Sequence, residues 1–118
     1  MNSVLLVFLG GGVGSALRYG AGLAVASTTF PYATFAVNAI GSLAIGLFGG
    51  WAARFGWSEA LRLSLTVGLC GGFTTFSTFS KESLALIESG SYGLFALYAA
   101  GSVTLGIIAT ALGFWLAK

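Results

Sequence analysis

Residues 71 to 81 read Gly-Gly-Phe-Thr-Thr-Phe-Ser-Thr-Phe-Ser-Lys, GGFTTFSTFSK. Hydropathy places it in the middle of a membrane helix, yet its eleven positions hold two glycines, five hydroxyl residues and three phenylalanines. Each glycine lowers helical propensity by about 1 kcal/mol relative to alanine, so a helix break is expected near 71–75. Such a break leaves carbonyls of the first half-helix and N–H groups of the second without helical partners. Irregular backbone facing lipid is not tolerated, so the break must line a cavity or face protein. Carbonyl ends of broken helices are good ligands for a sodium-sized cation, and two opposed copies would bring two sets together.

The surrounding chain sets this block in a membrane. Of 118 residues, 57% are hydrophobic and 7% charged, with a mean hydropathy of +0.96. Ordinary soluble domains carry about 25% charged residues. A span needs about 20 mostly apolar residues, so the length holds at most four spans and leaves no room for a soluble domain. The apolar opening MNSVLLVFLGGGVG lacks a basic n-region and runs on past Arg18, so it is read as a retained first span.

The fold class expected is an all-α membrane protein of four transmembrane helices forming one domain over 1–118. Apart from Arg18, residues 3–53 carry no charge, a run that fits two spans. The break between them falls at Ser27-Thr28-Thr29-Phe30-Pro31-Tyr32, where Pro31 lacks an N–H and disfavours helix before it. Helices are expected near 4–26, 33–53, 61–86 and 94–117, the third broken at mid-membrane. Trp51, Trp57, Tyr32, Tyr92 and Trp115 fall near span ends, as an aromatic belt requires.

With four spans, Arg54, Arg62 and Lys118 fall on one side and Arg18 and Lys81 on the other, almost no positive-inside bias. So even a distribution favours insertion in both orientations over one fixed orientation, with opposed copies pairing about an axis in the membrane plane. The net charge of +2 reflects scarcity of charge and offers no basic patch for nucleic acid. Cys70, the single cysteine, excludes an internal disulfide and reads as a small apolar core residue; with no histidine, zinc-type sites are excluded too. The four-residue spacings Gly10/Gly14, Gly46/Gly50 and Gly68/Gly72 suit close helix contacts in lipid.

Polar groups inside a membrane must be satisfied by protein, water or a permeating species, which makes each a functional candidate. Asn38 shares a narrow, small face with Gly41, Ser42, Ile45 and Gly49, where its amide either holds a neighbouring helix or solvates an anion. Arg18 either snorkels to the interface or lines an aqueous vestibule that concentrates anions. Phe76 and Phe79 lie on one side of the second half-helix, surrounded by Ser77, Thr78 and Ser80. Ring edges are electropositive and hydroxyls donate, so a path without an acidic side chain in its core suits a small, poorly polarizable anion. Tyr98 and Ser102, one turn apart, either add donors to that path or hold helix 4 to helix 3.

GGGVGSALRYG, TFAVNAIGS, GLCGGFTTFSTFSKE and the Tyr98/Ser102 pair together resemble the Fluc/CrcB fluoride channel family over essentially the whole chain. The resemblance implies a multi-pass protein of the cell inner (plasma) membrane, an antiparallel dual-topology homodimer with two pores that passively exports fluoride accumulated as HF. It implies that Phe76 and Phe79 face fluoride with their ring edges and that Asn38 is the pore asparagine. It implies also that the carbonyls of Gly71 and Thr74 hold a structural sodium ion at the dimer interface, that Arg18 lies near the aqueous entry, and that Tyr98 and Ser102 are polar positions of helix 4. Gly106 departs from the pattern, since some members carry a hydroxyl there. A four-helix multidrug transporter would need a membrane-embedded carboxylate, and Glu59, Glu82 and Glu88 all lie toward expected span ends. A non-transporting assembly subunit would explain the glycines but not the polar block. An enzyme is the weakest reading, because no nucleophilic or acid/base arrangement is present.

Overall fold

The computed structural model describes residues 2–25 and 29–118, and among them the only regular structure is helical. Residues 26–28 lie outside the described residues, and with them Ser27, Thr28 and the expected end of the first helix at 26. Helix α1 covers Ser3–Ala24, α2 Tyr32–Phe55 and α6 Tyr92–Leu116. At about 1.5 Å per residue they measure about 33 to 38 Å, enough to cross about 30 Å of hydrocarbon. These three are also apolar enough to do so.

Between α2 and α6 the chain runs through shorter pieces. Helix α3, Glu59–Leu63, passes into a π-helical segment, Ser64–Cys70, then into α4, Gly71–Phe73. After an interruption at 74–76, α5 spans Ser77–Glu88. The ends follow local chemistry. Asn2 Oδ1 accepts from the Val4 N–H at 2.8 Å and Ser58 Oγ from the Leu61 N–H at 3.2 Å, each satisfying a donor that a helix start leaves free. Gly56, at φ 62°, closes α2 in the left-handed conformation that glycine adopts without strain.

Two helix pairs make the body: α1 packs on the π-helical segment and α4, and α2 packs along α6. Glycines set both seams. A Cβ on Gly14 would overlap the Leu69 carbonyl, one on Gly72 the Gly11 carbonyl, and one on Gly46 the Thr110 carbonyl. Among the described residues little apolar surface is buried, and Tyr98 is the one large side chain that is fully enclosed. Large apolar side chains along α1 and α6 face outward instead, as they do where the solvent is lipid.

The glycines of 71–72 behave differently from the sequence expectation. Gly71 is α-helical, at φ −63° and ψ −37°, and the first residue to leave the helix is Thr74, at φ −89° and ψ 161°. Gly72 lies where it does because α1 approaches to backbone contact there, a need for small size that looks identical in sequence to a need for flexibility.

Candidate functional site

The interruption at 74–76 is held by side chains from three directions. The N–H and hydroxyl of Thr74 both donate to the Cys70 carbonyl, at 3.0 and 2.9 Å, ending the first half-helix. Thr75 is clasped by Asn38 from α2, whose Oδ1 accepts the Thr75 N–H at 2.8 Å while its Nδ2 donates to the Thr75 carbonyl at 3.0 Å. From α1, Arg18 Nε donates to the Gly72 carbonyl at 3.0 Å. Thr75 Oγ1 then accepts the Thr78 N–H at 3.1 Å, opening α5. Gly41 leaves the space into which the Thr74 methyl fits.

Asn38 therefore acts as a side-chain copy of a peptide group, giving Thr75 the partners that helix would have given. One Nδ2 hydrogen remains beyond this pair. Among the described residues the carbonyls of Gly71 and Thr74 accept no hydrogen bond, so two oxygens of the interruption are free to meet a cation.

Two clefts meet at this point. The second, of about 330 Å³, is lined by Asn38, Thr74, Thr75, Phe76, Phe79 and Ser102, together with Gly71 and Ser42. The first, of about 480 Å³, carries Arg18, Thr34, Thr75, Thr78 and Glu82. Thr75 lies on both walls. Of the residues singled out in the sequence, Asn38, Phe76, Phe79, Ser102, Gly71 and Thr74 thus come together, whereas Arg18 and Thr78 belong to the adjoining cleft. Ser77 and Ser80 are exposed and line neither.

Phe76 is 79% exposed in the single chain, although it lies beside the most polar interior stretch. Its ring is 5.7 Å from that of Phe79, and Phe79 is 4.9 Å from Tyr98, which meets Phe30 edge-on at 5.4 Å. Tyr98 donates its phenolic O–H to Glu82 Oε1 at 2.9 Å and so ties α6 to α5, whereas the Ser102 hydroxyl is buried without a partner among the described residues. The two candidates on α6 have separate surroundings. Tyr98→Phe should lower stability by about 1 to 2 kcal/mol, because a hydrogen bond to a half-buried carboxylate is lost; thermal unfolding in detergent measures it.

Glu82 is the residue that sequence reasoning missed. It lies six residues before the end of α5, toward the end of the segment as expected, and it borders the first cleft while staying out of the second. Its partner is 16 positions away on another helix, a distance that no local motif reports.

The chain matches the family model described as CrcB-like protein, Camphor Resistance (CrcB), over residues 5–114. It is 51% identical over 121 aligned positions to the fluoride-specific ion channel FluC of Phocaeicola vulgatus, covering all of both chains. The protein of the same name from Novosphingobium aromaticivorans is 49% identical, with 96% of this chain and 94% of the relative covered. That of Bacteroides fragilis is 48% identical, covering 100% and 98%. By these names the relatives are ion channels and not enzymes.

Proposed function

The chain belongs to the CrcB family, and from that premise we propose that it is a fluoride-selective channel through which fluoride leaves the cell passively across the plasma membrane. One observation carries this reading: the cleft at the helix interruption gathers an asparagine amide, two phenylalanine rings and an unpaired serine hydroxyl. Amide and hydroxyl hydrogens replace water around a small anion, and ring edges add positive potential without competing negative charge. Arg18, on the adjoining cleft, draws anions toward its mouth.

The working unit in this proposal is a homodimer of antiparallel subunits with dual topology, each crossing the membrane four times, the third crossing being residues 59–88 with their interruption. Each dimer carries two pores. The non-helical backbone at 74–76, beside an open polar cleft, supports a second copy, since irregular main chain at mid-membrane needs protein or water against it. The free carbonyls of Gly71 and Thr74 suit a structural sodium ion, with the same pair from the opposed subunit completing the set. A cation there would neutralise the carbonyl ends of both interrupted helices and join the subunits.

The test is fluoride efflux from liposomes holding the purified protein, voltage clamped with a potassium ionophore and chloride as the matched anion. Rapid fluoride release without chloride release is the expected result, and no release from correctly folded protein would overturn the reading. Phe79→Ile should lower the fluoride rate by about tenfold or more while leaving the size-exclusion profile unchanged, because an aliphatic side chain fills the site but lacks the electropositive edge.

A further inference from the structure

The cleft at the interruption opens into a third one, of about 550 Å³, along the groove between α2 and α6. Its walls include Gly106, Thr110 and Phe114, and it shares Ser42, Ser102 and Val103 with the second cleft. Anything that moves from one to the other passes those three side chains. Two of the three are hydroxyls.

Ser102 Oγ is buried and has no hydrogen-bond partner among the described residues. A serine or threonine within a helix commonly satisfies itself on the carbonyl four residues back, as Thr110 does on Gly106 at 2.9 Å. A buried hydroxyl left without that bond calls for some other ligand. Ser42 stands across the groove on α2, and a Cβ placed on Gly106 would lie 3.5 Å from its Oγ. The hydroxyl of Ser42 thus occupies the wall that α6 leaves bare at Gly106.

We propose that Ser42 and Ser102 form a paired hydroxyl station for fluoride at the neck between the two clefts. The proposal rests on the channel reading and deepens it. It assigns Ser42 a part in conduction and extends the route from the interruption along α6 toward Thr110. Two hydroxyls on opposite walls can donate to one small anion together, replacing two waters of its shell, which a larger and less basic anion needs less.

Ser42→Ala and the nearly isosteric Ser42→Cys should each slow fluoride efflux from liposomes by about tenfold, the weight of a hydrogen bond to a charged group. Ser42→Ala combined with Gly106→Ser should regain most of the rate, because the new side chain fits in ordinary contact and returns a hydroxyl from the other wall. Thr104→Ala, exposed on α6 away from both clefts, is the control and should match the unaltered chain. Ser42→Ala at the unaltered rate would overturn the station. So would a slowing that follows a lowered melting temperature and is not relieved by the Gly106 change, since that is the signature of packing. An unaltered chain that releases no fluoride would overturn the channel reading, and the station with it.

Discussion

Asn38→Asp should abolish fluoride efflux, with a fall of at least about a hundredfold. The exchange keeps the oxygen that accepts the Thr75 N–H but replaces the Nδ2 donor by a second acceptor facing the Thr75 carbonyl. Two oxygens then oppose each other at 3.0 Å where one hydrogen bond stood. Leaving a part-buried acceptor unpaired costs about 1 to 3 kcal/mol, and the added negative charge also lies in the cleft proposed to carry the anion. The two effects separate by measurement. Asn38→Ser should lose most of the clasp with no added charge, so comparison of efflux rates and melting temperatures for the two variants apportions them. Efflux at the unaltered rate in Asn38→Asp would remove Asn38 from both the clasp and the path.

The second large effect distinguishes two adjacent glycines. Gly72→Ala should cost about 3 kcal/mol or more, because its Cβ would overlap the Gly11 carbonyl, an atom that moves only if α1 moves. Gly71→Ala should be tolerated. Its backbone is helical, and the nearest atom to a new Cβ is the Thr66 carbonyl at 4.0 Å. Thermal unfolding of both variants in one detergent is the check. Equal loss in the two would mean that the pair serves flexibility, which is the reading that GGFTTFSTFSK invites when met as text.

That contrast shows how far the sequence could be read. The long apolar helices were legible because hydropathy over about 20 residues is a sum that tolerates local error. The polar block announced an interruption, and Asn38, Phe76, Phe79 and Ser102 were legible as candidates because few polar groups exist to choose from. What could not be read was pairing at a distance. Asn38 meets Thr75 across 37 positions and Arg18 meets Gly72 across 54, so neither contact leaves a local pattern. The interruption at Thr74 to Phe76 depends on those contacts, so its start after the two glycines, within the expected 71–75, left no local mark. The pairing of Glu82 with Tyr98, 16 positions away, left no local pattern for the same reason.

The glycine seams of α1 and α2 carry a thermodynamic consequence. Where Gly14, Gly72, Gly46 and Gly113 meet carbonyls and Cα atoms of the opposite helix, the contact surface is main chain that helix formation has already fixed. A glycine has no rotamers to surrender, whereas a buried leucine or methionine gives up about 0.5 to 2 kcal/mol of side-chain freedom. Helices that dock through such surfaces therefore assemble with almost no further ordering cost. In lipid, which offers no hydrophobic drive to bring them together, that saving in entropy lets 118 residues hold a defined shape around a polar interior.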